Sequence, residues 1–320
     1  MHRYILVCFV VGWVFAIAGA QPPDKVTLRL HYQPGQTLVY EVDVDGKITV
    51  ISEIGVATDL QFRGTLRQEQ QVESVAEDGT AAVLITVNGT LRVDMGGNPA
   101  PGTPTAQQSN ETTIPQTKLR MKIAPNGRVL EMQPVPSDKA SDGGKATPPP
   151  MLQDPFQALT LGSGAISLLP VLLPDKPVKV GDSWDLTGTA QLPLPGGRSV
   201  PIAIKGMGKL AAVQTANDRP VAVADVRIEA PELGDAIVKV LPLKEMGIDM
   251  QAKGGTTTNG KHWFDLASGV LTRSEVTAET QLSTLIRMPE NVGGSVLTLQ
   301  SRTTLKTTTR LVEVRAPSKR

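Results

Sequence analysis

Apolar and polar residues alternate along most of the chain, a pattern typical of antiparallel β-strands with one face on a core and one in water. The first such stretch runs from Val26 to Tyr32. Later stretches with the same period of two lie around residues 38–50, 59–76, 83–95, 119–130, 184–186, 200–210, 222–228, 246–252, 262–266, 270–286 and 295–314. The pattern predicts a mainly β fold, in which a curved antiparallel sheet or half-barrel packs on one short helical segment.

Short turn motifs separate these strands. Glycine and asparagine adopt the positive φ angles of tight hairpin turns at little cost, so pairs that contain them mark where a strand reverses. Residues 96–116 and 134–150 lack a periodic apolar set and are rich in small and polar residues, which predicts loops. Turns are predicted at Pro34-Gly35, Asp45-Gly46, Asp78-Gly79, Pro125-Asn126-Gly127, Gly181, Asn217-Asp218, Gly254-Gly255, Asn259-Gly260 and Ser268-Gly269.

One segment carries the features of a helix. Asp154 is a suitable N-cap, and Pro155 fits the first helical position, where its missing N–H costs nothing. Two interpretations stay open: the segment fills the core as a plug against the sheet, or it lines a groove for a hydrophobic ligand. The apolar face of this helix would consist of Phe156, Leu159 and Ile166.

The first residues have the features of an export signal. A basic start is followed by an apolar run from Tyr4 to Ile17 and then by small residues, which predicts a signal peptide over residues 1–20 with cleavage after Ala20. An uncleaved membrane anchor is the alternative. Gln21 stands where a lipoprotein needs a cysteine, so we expect no lipid anchor. The product should be periplasmic or extracellular, with no membrane span after cleavage.

Composition narrows the classes of function. Cys8 is the one cysteine and would leave with the signal peptide, so disulfides, zinc-thiolate sites and a cysteine nucleophile are not expected. The 32 basic and 31 acidic residues nearly balance, and aromatic residues make up 3% of the chain. This composition argues against nucleic acid as a partner. The 33 Val and 31 Thr residues favour strands instead.

No catalytic or metal-binding constellation stands out. His31 lies on a polar strand face, and His262 shares the parity of Phe264 and should point inward, but neither has a neighbouring ligand at metal-binding spacing. Asp43 and Asp45 resemble the start of a calcium loop whose later acidic ligand is missing. We therefore predict a non-enzymatic protein with no cofactor and no bound metal.

The two halves of the mature chain show a similar succession of turns. Gly35 and Gly127 are 92 positions apart, and Gly181 and Gly269 are 88 apart. Either the halves are repeats that form two similar lobes, or the hairpins match by chance. The predicted organisation is a signal peptide (1–20), an N-terminal β lobe (21–135), a loop with the apolar helix (136–174) and a C-terminal β lobe (175–316).

Two motifs resemble a pattern in uncharacterised bacterial secreted proteins. The segment from Pro177 to Trp184, which contains Val180-Gly181-Asp182, is followed much later by Phe264-Asp265 and Gly269-Val270-Leu271. The implied architecture is similar to the half-barrels of bacterial lipoprotein carriers, in which a curved sheet wraps over helices and can hold acyl chains. The resemblance covers residues 175–287 best, and its motifs are turn residues.

Two functional hypotheses follow from these observations. The first is an exported binding protein whose β groove holds a lipid-like or other hydrophobic ligand. The second is an envelope interaction or scaffold protein whose core is filled by its own helix, without a small ligand. Trp263 has the opposite parity to Phe264, which indicates an exposed side chain. The groove candidates are Phe156, Leu159, Ile166, Trp184, His262 and Trp263.

Overall fold

The computed structural model describes residues 25–53, 55, 57–97, 108–135, 172–193, 199–240, 247–288 and 294–317. Within these ranges the chain forms long strands and one short helix. The elements in chain order are β1 (Thr37–Ser52), β2 (Ala57–Val75), β3 (Ala81–Gly97), β4 (Gln108–Ile123), β5 (Val129–Val135), β6 (Ser183–Asp185), β7 (Gly188–Pro193), β8 (Ser199–Ala216), β9 (Arg219–Ala230), α1 (Leu233–Val240), β10 (Asp249–Asp265), β11 (Val270–Arg287) and β12 (Val296–Arg315).

The strands form one antiparallel sheet that does not close on itself. Its order is β5-β4-β3-β2-β1-β12-β11-β10-β9-β8-β6. Strand β7 pairs with a different part of β8, from Ser199 to Ile204. One end of the sheet is therefore β5, and the other end is β6 and β7. The prediction of a mainly β protein with a curved sheet or half-barrel is confirmed.

Each half of the chain forms its own meander of neighbouring strands. Strands β1 to β5 belong to the first half, and β6 to β12 belong to the second half. The halves join where β1 pairs with β12 along its length, from Thr37 opposite Arg315 to Ser52 opposite Leu299. The two predicted lobes are thus parts of one sheet, and their status as a repeat stays a prediction.

Residues 26–33, which we call the strap, run along one edge of the sheet. We call this edge the base; it contains the turns at Pro125 and Gly269 and the connecting segment at Val178. Val26 exchanges two backbone hydrogen bonds with Val178, of 2.7 and 2.9 Å. The Leu30 N–H donates to the Pro125 carbonyl (2.7 Å), and the His31 N–H donates to the Gly269 carbonyl (3.0 Å). The prediction that residues 26–32 form a strand of the sheet is wrong. The segment is extended, but it does not pair with a strand of the sheet. Its hydrogen-bond partners lie in the turns at Pro125 and Gly269 and in the connecting segment at Val178.

The strap also links the two largest apolar clusters. Tyr32 belongs to the cluster of the first half, with Tyr40 and Val42, whereas Leu28 belongs to that of the second half. Leu30 packs against both clusters. The alternation that suggested a strand therefore has another cause, because these side chains point alternately into the base of the half-barrel and into solvent.

Three predicted turns are wrong because they lie inside long strands. Asp45-Gly46 is in β1, and both Gly254-Gly255 and Asn259-Gly260 are in β10. A Cβ on Gly46 would overlap the ring of Phe62, which lies on the paired position of β2. Glycine stands there because an aromatic ring from the next strand occupies the space above it, and not because the chain reverses.

Other turn predictions agree with the structure. Gly35, Gly79, Gly127, Gly181 and Gly269 all have positive φ angles, as tight turns require. Asn217 and Asp218 also have positive φ, of 49° and 59°, and join β8 to β9. The predicted loop at residues 96–116 is wrong from Gln108 onward, because that part belongs to β4.

The helix that the structure describes is α1, which the sequence analysis missed. Its Leu233 and Ile237 are buried against Ile202, Ile204 and Ala230 of β8 and β9. A Cβ on Gly234 would lie 2.9 Å from backbone atoms of Ala252, so the helix rests closely on β10. The predicted helix with Phe156, Leu159 and Ile166 lies outside the described residues, as does the predicted signal peptide.

The packing of the strap predicts a large effect at Leu28, which is 1% exposed. Leu28→Ala should lower the free energy of unfolding by about 2–5 kcal/mol, because a buried leucine is truncated and leaves a cavity. Urea titration followed by circular dichroism measures this. The neighbouring exposed residue provides a matched control, since Arg29→Ala should change stability by less than about 0.5 kcal/mol. Equal effects of the two substitutions would show that the strap does not hold the base.

The contact between Gly46 and Phe62 predicts a coupled pair. Gly46→Ala should destabilise the protein by about 1–3 kcal/mol, because the added methyl group meets the Phe62 ring. In a Phe62→Leu background the same change should cost clearly less, since the ring is gone. A double-mutant cycle from thermal or urea unfolding measures the coupling. A stable Gly46→Ala protein would contradict this account of the glycine.

Candidate ligand-binding site

The opening between the two ends of the sheet contains a cavity. We call this opening the seam; the turn before β5, with Asn126 and Arg128, borders it on one side, and β6 and β7 border it on the other. The cavity has a volume of about 320 Å³, which lies near the lower end of the usual range for small-molecule sites. It is lined by Asn126, Arg128, Leu172, Leu173, Asp175, Asp185, Leu186, Thr187, Gly188, Thr189 and Ile204.

The floor of the cavity is apolar and fixed by local hydrogen bonds. The Leu173 N–H donates to the Asn126 carbonyl (2.8 Å), and the indole Nε1 of Trp184 donates to the Leu172 carbonyl (3.3 Å). Leu173 and Leu186 are buried in the apolar cluster of the second half. The floor of the cavity is thus continuous with the hydrophobic core.

The rim of the cavity is polar and carries both signs of charge. Asn126 donates from Nδ2 to Asp175 (2.9 Å) and accepts from the Arg128 N–H (3.1 Å) at Oδ1. Hydrogen bonds from the Thr187 side chain and N–H hold the pKa of Asp185 below its ordinary value. Arg128 is exposed and forms no ion pair within the described residues. An apolar floor with a polar rim suits a molecule that is apolar at one end and polar at the other.

The inner face of β10, β11 and β12 is rich in buried hydroxyl groups. We call this surface the hydroxyl wall. The Thr280 hydroxyl donates to the Thr256 oxygen (2.9 Å), and the Thr256 hydroxyl donates to the Glu279 carbonyl (3.2 Å). The Thr258 and Thr307 hydroxyls are buried without a partner in the described structure. The buried hydroxyl residues of this wall are Thr256, Thr258, Ser274, Thr280, Thr284, Thr303 and Thr307.

His262 belongs to the same wall. It is 6% exposed, and its Nδ1 atom is buried without a hydrogen-bond partner in the described structure. A Cβ on Gly260 would lie 2.8 Å from His262 Nε2, so the imidazole occupies the space above that glycine. Burial lowers the pKa of His262 to about 4. The side chain is therefore neutral at pH 7. In a neutral imidazole one ring nitrogen donates a hydrogen bond and the other accepts one.

The structure separates the predicted groove residues that it describes. Trp184 lies over Gly208, where a Cβ would overlap the indole, and packs beside the cavity floor. Trp263 is the next residue after His262 and lies on the outer face of β10, where Arg273 stacks at 5.0 Å from its ring centroid. His262 points inward and lies two strands from the seam-lining strand β8. Phe156, Leu159 and Ile166 lie outside the described residues.

Sequence reasoning missed most of the cavity lining. Ile204 was predicted as a strand residue, but nothing indicated that it borders an opening. Gly188 was not singled out, and the structure leaves open space where its Cβ would lie. The inward direction of Thr258 could have been predicted, because Thr258 and His262 have the same parity on one strand.

The two motifs behind the family resemblance build turns. One Asp265 oxygen accepts from the Ala267 and Ser268 N–H groups, and the other accepts from Arg219 at 3.0 Å. Burial alone would raise the pKa of Asp265, but these hydrogen bonds outweigh it and hold the pKa below its ordinary value. Asp182 accepts from the Lys179 N–H (3.0 Å) in the same way. These residues support the fold and do not line the cavity.

No group of three or more His, Cys, Asp or Glu side chains in the described ranges is placed to hold a metal ion. No helix in that part of the chain is long and apolar enough to cross a membrane.

The burial of His262 predicts a dependence of stability on pH. Its folded pKa is about 4 and its ordinary value is 6.5, so between these values the unfolded state binds a proton that the folded state does not. Stability should therefore fall as the pH falls from 6.5 towards 4, with a contribution of at most about 1.4 kcal/mol per pH unit. His262→Phe should remove this contribution from urea titrations at a series of pH values. His31→Phe makes the same substitution at an exposed histidine, and this variant should keep the dependence of stability on pH. An unchanged slope of stability against pH in His262→Phe would contradict the assignment of this dependence to His262.

Comparison with known proteins gives matches to solved structures but none to family profiles or curated sequences. A solved structure of lipovitellin, described by its lipid–protein interactions, has 12% identity and a TM-score of 0.42 over 91% of this chain and 26% of that chain. This chain therefore spans about a quarter of that one. OccK7 (OpdD) of Pseudomonas aeruginosa has 8% identity and a TM-score of 0.23, over 88% of this chain and 99% of that chain. Both TM-scores are too low to establish a shared fold.

Proposed function

We propose that this protein is an exported binding protein that holds a lipid-like or other hydrophobic small molecule in its half-barrel, with the seam as the opening. The observation that carries the proposal is the cavity of about 320 Å³, which lies between the two ends of the sheet and has an apolar floor. Binding sites for small molecules combine such concave apolar surfaces with a few polar groups that set orientation. Leu172, Leu173, Leu186 and Ile204 supply the apolar surface here.

The proposed role is binding and not catalysis. His262 is the buried histidine of the described chain, and its Nδ1 has no carboxylate partner there. The proposed route of export is the signal peptide over residues 1–20, cleaved after Ala20. Lipovitellin and OccK7 are too distant to contribute to this proposal.

A second function is favoured by one observation, the burial of the cavity floor. Leu173, Leu186 and Ile204 are all buried already within the folded chain. A scaffold or envelope interaction protein with a self-filled core would also bury these residues. The two proposals differ in whether the space above the floor accepts a foreign molecule.

Filling the cavity tests the first proposal. Gly188 has no positive φ and has open space at its Cβ position, so Gly188→Phe should place a ring in the cavity without backbone strain. We expect the variant to lose at least tenfold in affinity for the hydrophobic dye 1-anilinonaphthalene-8-sulfonate, measured by fluorescence titration, with an unchanged melting temperature. Native mass spectrometry of the gently purified natural chain should show a bound molecule that the variant lacks.

Ser183→Phe is the matched control. Ser183 is exposed on the neighbouring strand β6 and does not line the cavity, so the substitution adds the same ring outside the site. It should leave dye binding unchanged. A natural chain with neither dye uptake nor a bound molecule would reject the binding proposal and favour the self-filled core.

A further inference from the structure

We propose that the ligand of the seam is an amphiphile with a zwitterionic head, in which an ammonium group lies against Asp185 and an acidic group lies against Arg128. This inference rests on the proposed function and names the chemical class of its ligand. It starts from the cavity of about 320 Å³, whose lining carries three charged side chains beside the apolar floor. These side chains are Arg128, Asp175 and Asp185.

Opposite charges are available on opposite sides of the seam. Arg128 directly precedes β5 on one side, and Asp175 is held on that side by a hydrogen bond from Asn126 Nδ2 (2.9 Å). Asp185 is the last residue of β6 on the other side. The three charged residues are exposed, and none of them forms an ion pair with another residue that the structure describes. The basic group and the carboxylates are therefore free to pair with a molecule that enters the cavity.

The two charges that would hold the head lie next to the apolar floor. Asp185 directly precedes Leu186, which is buried in that floor. Arg128 is two residues after Asn126, whose carbonyl accepts from the Leu173 N–H (2.8 Å). A molecule whose apolar part covers Leu173 and Leu186 therefore has its polar end within reach of both charges.

The charges of the lining select among headgroups. A simple anion would gain Arg128 as a partner but would meet two carboxylates, those of Asp175 and Asp185. A simple cation would gain the carboxylates but would meet Arg128. A head with both charges finds a partner of opposite sign on each side of the seam and adds no net charge. The cavity volume lies near the lower end of the range for small-molecule sites, which favours one acyl chain over two.

The test compares three molecules that share a twelve-carbon chain. Dodecylphosphocholine is zwitterionic, laurate is an anion, and dodecyltrimethylammonium is a cation. Isothermal titration calorimetry at pH 8 and low salt, below the concentrations at which the three form micelles, measures their affinities for residues 21–320. We expect dodecylphosphocholine to bind at least about threefold more tightly than either singly charged molecule, which is the size of one partly exposed ion pair.

Two substitutions separate the two charges of the head. Asp185→Asn removes the carboxylate charge but keeps an oxygen for the Thr187 N–H, so it should weaken dodecylphosphocholine and dodecyltrimethylammonium roughly threefold and should not weaken laurate. Arg128→Gln should weaken dodecylphosphocholine and laurate by a similar factor and should not weaken dodecyltrimethylammonium. The matched controls are Glu77→Gln and Arg302→Gln, at exposed positions outside the cavity, and they should alter none of the three affinities.

The outcomes separate the inference from the proposed function. Equal or tighter binding of laurate or dodecyltrimethylammonium, or full dodecylphosphocholine affinity in either variant, would overturn the inference and leave the proposed function standing. Free phosphocholine has the head without the chain and should bind at least about tenfold more weakly than dodecylphosphocholine. Equal affinity for it would reject the proposed function, because the apolar floor would then contribute nothing. If the natural chain binds none of these molecules and no hydrophobic dye, both are wrong.

Discussion

The packing of the strap across the base is the interaction on which the rest of the half-barrel depends. An open sheet has two free ends, and nothing in strand pairing holds them at a fixed separation. Here Leu30 donates to Pro125 beside β5, and Val26 is paired with Val178 before β6, so one short segment ties both ends together. The hydrogen bond between Leu173 and Asn126 adds a second link at the same level. The base is closed by these contacts, whereas the seam above them keeps its cavity.

The two faces of the sheet divide the polar chemistry of the chain. Charged residues on the outer face form cross-strand ion pairs, such as Arg63 with Asp45 (3.1 Å) and Lys47 with Asp59 (2.9 Å). Exposed pairs of this kind contribute little to stability, typically about 0–1 kcal/mol each. They keep the charged side chains on the outer face, and the inner face consists of apolar side chains and uncharged hydroxyls. The threonine excess thus serves two roles, as a strand former and as a polar lining.

The sequence predicted the sheet well because alternation is a local property. It predicted the inward direction of His262 for the same reason, since parity along one strand sets the face. It could not distinguish Asp45-Gly46 from Asp78-Gly79, although only the second pair is a turn. The difference lies in Phe62, which is distant in sequence and covers Gly46. The seam was equally hidden, because it arises from the pairing of β1 with β12 and from the contacts of the strap, which join residues far apart in the chain.

The composition of the buried inner face differs between the two halves of the chain. In the first half of the chain the buried inner residues are mostly aliphatic, as with Val42 and Val83, and they pack against one another. On β10 to β12 the composition changes, although each unpartnered buried hydroxyl costs about 1–3 kcal/mol. The chain instead places threonines there, and it leaves Thr258, Thr307 and His262 with unpaired atoms around Gly260. The burial of these hydroxyls therefore lowers the stability of this part of the sheet relative to an aliphatic face of the same shape.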